Sequence, residues 1–238
     1  MSIRENVARV RAEIATAAKA AGRDPAEITL VGASKMNDDA ACREAIAAGI
    51  DALGENRVQE MTSKLAENAY DGAPLHFIGH LQRNKVRQVV GKAALIQSVG
   101  SDALLEEIER QAEKLKIVQD ILLEVNVGGE EAKSGYDFAS ISTAAQKAME
   151  LTHVRLRGLM TVPPIETKLG ENLANFEKVG RLYVDINQKL YDNTLDILSM
   201  GMSGDYPDAI RAGATMIRVG TAIFGHRAYP AANQEGTV

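Results

Sequence analysis

The chain has 238 residues, 45% of them hydrophobic and 25% charged, with a formal net charge of −5. That is long enough to bury a sizeable core and too ordinary in make-up for a disordered, collagen-like or linker-dominated protein. A single cysteine, Cys42, excludes intramolecular disulfides and cysteine-cluster metal sites, and the acidic balance removes a general pull toward nucleic acid or anionic membrane.

Tryptophan is absent and only 6 Tyr and 4 Phe are present, so an aliphatic core is expected and base-stacking platforms are not. No stretch approaches the roughly 20 apolar residues of a spanning helix. The N-terminus is rich in arginine, yet Glu5 and Glu13 interrupt it and there is no apolar signal core. Ile3, Val7, Val10, Ile14 and Ala18 instead form one apolar stripe at helical spacing. These features predict a cytoplasmic protein that opens with a folded helix.

Short apolar runs rich in β-branched residues then recur along the chain. They are Ile28–Ser34, Asp51–Gly54, His76–Gly79, Leu95–Val99, Ile121–Val127, Leu156–Val162, Ile197–Met202 and Met216–Phe224. Helical periodicity lies between them. Leu104, Leu105, Ile108, Ala112 and Leu115 share a face in Ala103–Leu115, with Ser101 as N-cap, and Asn172–Leu190 repeats the pattern. Eight alternating strand–helix units in this length predict a (β/α)8 TIM barrel, an α/β fold, as a single domain over 1–238 with an additional N-terminal helix. An open doubly wound sheet is the alternative. In the barrel, chemistry belongs at the C-terminal ends of the strands, with phosphate after the seventh and eighth.

Those ends carry the candidate residues. The first run ends in Lys35, a possible Schiff-base amine or simply an exposed lysine. The second runs into Gly54-Glu55-Asn56-Arg57-Val58-Gln59-Glu60, which lines a pocket or, more simply, caps the next helix. Ser203 after the seventh run, and Gly220 and Thr221 in the eighth, supply small residues, hydroxyls and backbone N–H groups suited to phosphate. Arg218 lies in an otherwise apolar strand and needs an acceptor, either a carboxylate or a ligand ring nitrogen.

Other residues read more plainly. His76 and His80 are separated by roughly 13 Å of strand rise, too far to share a metal, and His153 and His226 have no evident partner. Cys42 sits with Ala45 and Ile46 on an apolar helix side and is expected to be buried. Arg83, Lys85 and Arg87 read as a solvated basic face, Asp38-Asp39 as a helix start, and Glu130-Glu131 as loop charges. Pro163–Gly170 reads as a long strand-to-helix loop. There is no Walker A sequence, no G-x-G-x-x-G and no nucleophile elbow.

Taken together, several segments closely resemble the YggS-like (PROSC-like) pyridoxal phosphate homeostasis family. They are Ala33-Ser34-Lys35, Gly54 to Glu60, His76-Phe77-Ile78-Gly79-His80-Leu81-Gln82-Arg83-Asn84-Lys85, and Val125-Asn126 with Lys133-Ser134-Gly135. Gly158-Leu159-Met160-Thr161-Val162-Pro163-Pro164, Leu198 to Asp205 and Arg218 to Gly225 complete the set. The resemblance implies an alanine-racemase-like barrel holding pyridoxal 5′-phosphate (PLP) as an aldimine on Lys35. It further implies Ser203, Gly220 and Thr221 at the phosphate, Arg218 at the pyridine nitrogen, and Asn56 and Met200 along the ring. The chain departs from that pattern at Met36-Asn37, where a Thr-Lys-like pair is usual. It departs again at Gln97-Ser98-Val99-Gly100, where His-Ser-Val-Asp is typical.

Two functions of different class follow from the resemblance. One is a PLP carrier that buffers the cofactor or supplies it to PLP-dependent apoenzymes, with indirect effects on amino acid metabolism, no catalytic residue and no metal. The other is a PLP-dependent amino acid racemase or a related fold-type III enzyme. Related racemases place their second acid/base group on a C-terminal β-domain, and only 13 residues follow Gly225. A carrier is therefore expected, for which a monomer suffices.

Overall fold

The computed structural model describes residues 1–128, 134–164 and 170–225. Glu130, Glu131, Lys133, His226 and most of the loop from Pro163 to Gly170 lie outside the described residues. The chain opens with helix α1 (Ile3–Ala20), whose first turn is closed by a capping box. Ser2 Oγ accepts from Glu5 N at 3.2 Å, and Ser2 N donates to Glu5 Oε2 at 2.8 Å. Val7, Val10, Ile14 and Ala18 are buried as the stripe requires.

Eight parallel strands follow: β1 (Thr29–Ala33), β2 (Ala52–Glu55), β3 (Leu75–Phe77), β4 (Leu95–Val99), β5 (Gln119–Val125), β6 (Val154–Thr161), β7 (Ile197–Ser199) and β8 (Met216–Val219). They close in sequence order, β8 pairing with β1, so the barrel prevails over the open sheet. The crossover helices are α2 (Asp39–Ala47), α3 (Val58–Ala66), α4 (Asp102–Leu115), α5 (Ile141–Met149), α6 (Leu173–Leu190) and α7 (Tyr206–Arg211), with the short α8 (Thr221–Phe224) after β8. Between β3 and β4 the connection is a 3-10 segment, Arg83–Gln88.

Strand alternation sorts the side chains into two layers. Val31, Ala52, Leu95, Leu122, Met160 and Met216 meet inside the barrel. Leu30, Leu53, Phe77, Ile96, Leu123 and Ile217 face outward into the larger layer shared with the helices. Phe77, Phe176 and Tyr206 are fully buried, and Tyr70 and Tyr136 nearly so, in an interior that is mostly aliphatic. Ser101 caps α4 and Asp38 caps α2 through their side chains, as the sequence suggested. Cys42 is buried, and burial raises its thiol pKa.

Two expectations change. The eighth run is not one strand to Phe224: β8 stops at Val219, and Gly220 begins a helical turn. Apolar character continues through Ala222 and Ile223, which is why the run read as uniform. The polar segment after β2 does not cap α3, because its N-cap residue Arg57 makes no side-chain cap bond. Among the described residues, no helix is long and apolar enough to cross a membrane.

Candidate functional site

At the C-terminal ends of the strands the barrel interior turns polar. Lys35 lies two residues beyond Ala33, on the alternation that points Val31 inward, and is partly buried. Its strand lies between β2 and β8, with Ala33 paired to Gly54 and Val31 to Arg218. Topology therefore sets Lys35 between the strand that leads into Asn56 and the strand that carries Arg218.

The backbone around Lys35 is held from α3. Lys64 Nζ donates to the Ser34 carbonyl at 2.9 Å, and Met36 N donates to Glu60 Oε2 at 3.0 Å. Met36 takes a left-handed φ of 61°, unusual for a side chain of its size. Lys64 also pairs with Glu55, its Nζ lying 3.3 Å from Glu55 Oε2, and both residues are buried. Burial pushes the Glu55 carboxyl up to about 8, against the pull of the Lys64 ammonium. Glu55 therefore belongs to the outward layer beneath α3, whereas its neighbour Asn56 continues the inward parity.

Asn56 brings an unusual feature. Its Oδ1 is buried and has no hydrogen-bond partner among the described residues. Its main chain is packed against Gly79, where a Cβ would stand 2.3 Å from Asn56 O and 2.5 Å from Asn56 Cα. Only glycine lets the β2 and β3 ends approach so closely.

Arg218 is buried at 4% exposure and, among the described residues, forms no ion pair with the carboxylate expected of it. Its Nη1 donates to Ser199 Oγ at 2.6 Å and its Nη2 to the Thr161 carbonyl at 2.7 Å. Glu124 and Asp205 act on it electrostatically without closing an ion pair. Burial lowers the guanidinium only to about 10, so it is cationic at neutral pH. Burial likewise raises the Glu124 carboxyl, which accepts from Ser134 Oγ at 2.9 Å. Glu124 lines a cavity of about 220 Å³ at the mouth with Ile78, Gly79, His80, Asn126 and Ser134. Hollows of about 560 and 480 Å³ lie at the opposite end of the barrel, near Pro74 and Arg155, away from these groups.

Ser203 and Gly220 are brought into contact. Ser203 Oγ accepts from Gly220 N at 3.2 Å and from Ala222 N at 3.3 Å, so two backbone donors converge on one oxygen at the first turn of α8. Thr221 is exposed beside them. That turn is steadied from α1, where Asn6 Nδ2 donates to the Ile223 carbonyl and Arg9 Nη2 to the Ala222 carbonyl, both at 2.8 Å. Met200 is placed differently. It is fully buried and packs in the outer layer between sheet and helices, one step out of phase with the inward Ser199.

His76 is the other surprise. It is buried inside the barrel, with Gln97 Nε2 3.0 Å from its Nδ1. Ser199 lies in a segment that carries the family resemblance and Gln97 at a departure from it, whereas Glu124 and Lys64 belong to no motif named above. Their signal in sequence is polarity at strand or helix positions whose neighbours are buried.

The comparisons with known proteins agree in direction. The family model described as alanine racemase, N-terminal domain, matches residues 3–228. A pyridoxal phosphate homeostasis protein of Aquifex aeolicus is 41% identical over 229 residues, 96% of this chain and 100% of its own. One from Pseudomonas aeruginosa is 40% identical over 230 residues, covering 97% and 98%. The structure of PipY from Synechococcus elongatus with PLP bound superposes with a TM-score of 0.81 at 35% identity, covering 94% of this chain and 100% of that one. Alanine racemase from Corynebacterium glutamicum shares the fold, with a TM-score of 0.67 at 12% identity over 97% of this chain and 64% of its own.

Proposed function

The chain belongs to the pyridoxal phosphate homeostasis proteins, within the alanine racemase N-terminal-domain family, and on that premise we propose that it binds PLP at the barrel mouth and acts in intracellular vitamin B6 homeostasis. Its role is to hold the cofactor and to buffer it or supply it to PLP-dependent apoenzymes in the cytoplasm, as a monomer, without a catalytic residue of its own. The chemistry that the cofactor supplies when bound is that of an aldehyde toward a primary amine.

The residues present suit that group. Lys35 offers the only kind of side chain that condenses with an aldehyde at a strand end, and its flanking backbone is fixed by Lys64 and Glu60. Asn56 Oδ1, a buried acceptor without a partner among the described residues, asks for a donor such as a ring hydroxyl. The paired N–H groups of Gly220 and Ala222, with the Ser203 and Thr221 hydroxyls, suit an anionic oxygen. Arg218 suits a ring nitrogen as a donor. The observation that carries the reading is the topology: Lys35 stands on the strand between Asn56 on one side and Arg218, Gly220 and Thr221 on the other. Met200 borders the site through its position after β7, with its side chain in the outer layer.

The chemistry of Arg218 is compatible with a holding role but does not exclude racemization, because racemases of this fold also use arginine at the ring nitrogen. A guanidinium that keeps its protons at neutral pH donates a hydrogen bond to a ring nitrogen without protonating it. The ring is then a weaker electron sink for carbanion chemistry. The homeostasis relatives, matched over 98–100% of their own lengths, also support this reading. The test is transfer: loaded protein mixed with a PLP-dependent apoenzyme restores that enzyme's activity. Failure of transfer, together with racemization of any amino acid at about 1 s⁻¹ or faster, contradicts it.

A further inference from the structure

A chain of side-chain hydrogen bonds crosses the barrel interior below the mouth. Arg218 Nη1 donates to Ser199 Oγ at 2.6 Å, Ser199 Oγ donates to Gln97 Oε1 at 2.7 Å, and Gln97 Nε2 stands 3.0 Å from His76 Nδ1. The links come from β8, β7, β4 and β3, so the chain spans the barrel rather than following one strand. All four residues are buried.

Its direction is fixed by donor and acceptor inventory. Arginine only donates, so Ser199 Oγ must accept from it and turns its own proton to Gln97 Oε1. The Gln97 amide nitrogen then faces His76 Nδ1 and also the Met216 sulfur, 3.2 Å away. A thioether sulfur is a weak acceptor, so the nitrogen rather than the oxygen belongs on that side. His76 Nδ1 is consequently the unprotonated end of the chain, and the imidazole is the Nε2–H tautomer. Both hydrogens and the oxygen of the Gln97 amide are used.

We propose that Gln97, through Ser199, is a positioning residue for Arg218, and that His76 anchors it. With Nη1 held by Ser199 and Nη2 by the Thr161 carbonyl, two of the five N–H donors of Arg218 are committed. The plane of the guanidinium is thereby set, and with it the direction in which the remaining donors face the ligand. Position 97 is one of the places where the chain departs from the family pattern, carrying Gln where His is typical. The departure keeps the bridge: a neutral imidazole and a carboxamide each present an acceptor and a donor about 2 Å apart on a planar group, the carboxamide having a second N–H for the Met216 sulfur. Either bridges Ser199 to His76, whereas an aliphatic side chain does neither. This assignment rests on the proposal that PLP occupies the mouth.

The experiment compares wild type, Gln97→Leu, Gln97→His and Ser199→Ala. PLP affinity and the absorption maximum of the bound cofactor are measured in each. Borohydride-trapped adduct on Lys35 is located by mass spectrometry, and the His76 ring nitrogens are read by ¹⁵N NMR in the PLP-free protein. Gln97→Leu is expected to trap adduct at saturating PLP, yet to bind about tenfold more weakly, the scale of one charge-assisted hydrogen bond, with a shifted absorption maximum. Gln97→His is expected within about twofold of wild type. Should Gln97→Leu fail to fold, Ser199→Ala carries the same contrast. In wild type, His76 Nδ1 is expected to resonate as an unprotonated acceptor. A Gln97→Leu or Ser199→Ala protein with wild-type affinity and spectrum overturns the assignment. So does a Gln97→His protein no better than Gln97→Leu, or a protonated Nδ1. Absence of trapped adduct in wild type overturns the binding reading itself, and the NMR result separates that failure from the first.

Discussion

Lys64 Nζ stands 2.9 Å from the carbonyl oxygen of Ser34, so an ammonium on α3 grips the peptide that leads directly into Lys35. One turn earlier on the same helix, Glu60 accepts from the amide of Met36. Lys35 is thus flanked on both sides by backbone anchors that belong to the next βα unit. Glu55 holds the Lys64 ammonium in place from beneath.

Replacing Lys64 tests that arrangement. Lys64→Met removes the donor that both the Ser34 carbonyl and the buried Glu55 carboxyl face, an expected loss of about 1–3 kcal/mol by urea denaturation. The double variant Glu55→Leu with Lys64→Met removes the stranded carboxyl and is expected to regain most of that stability. It is not expected to regain PLP affinity, since the Ser34 carbonyl has still lost its anchor. Equal recovery of both would show that α3 serves stability alone.

Gly79→Ala addresses the meeting of β2 and β3. The added methyl would lie 2.5 Å from Asn56 Cβ and closer still to its carbonyl oxygen, so Asn56 must move. Melting temperature and PLP affinity should both fall, the destabilisation being on the order of 1–3 kcal/mol. Unchanged affinity in a folded Gly79→Ala protein would remove Asn56 from the site.

Acid sensitivity follows from His76. Burial lowers its pKa to about 4, below the ordinary 6.5. Above 6.5 the ring is neutral folded and unfolded alike, and no penalty exists. As pH falls from 6.5 toward 4 the unfolded chain takes up a proton that the folded one refuses, so stability is lost across that window. The loss is on the order of 2 kcal/mol by about pH 5. Denaturation curves from pH 7 to 5 should therefore fall more steeply for wild type than for His76→Gln. Parallel curves would place His76 in a solvated setting.

Ser203→Ala examines the proposed phosphate end. It removes the shared acceptor of the Gly220 and Ala222 amides, and those donors then lack the oxygen that organises them. About tenfold weaker PLP binding is expected by equilibrium dialysis, with the Lys35 adduct still formed at saturation. An equal affinity for phosphate-free pyridoxal and PLP in wild type would contradict a phosphate site at this turn.

Much of the architecture was legible because alternation and helical spacing are local. Val7, Val10, Ile14 and Ala18 announced α1, and each strand run met a strand of the closed barrel. The end of β8 was not legible, because apolar residues continue from Val219 through Ile223 while the backbone changes from strand to helix. Lys35, Arg218 and Asn56 could be found as polar residues at strand ends, and their order matched a known family. The partners of Arg218 could not, since Ser199 is 19 residues away and Gln97 lies 102 residues from Ser199. Only closure of the barrel joins them. Met200 shows the opposite limit: its place after β7 is at the mouth, but parity turns its side chain outward.

The central claim is that Lys35 holds PLP. Purified protein is incubated with PLP, reduced with borohydride and digested, and the modified peptide is sequenced by mass spectrometry alongside Lys35→Ala. The account predicts a pyridoxyl-phosphate adduct on Lys35 in wild type, and loss of both that adduct and the associated absorption band in the variant. Stoichiometric adduct on another lysine, or an undiminished band in Lys35→Ala, would contradict it.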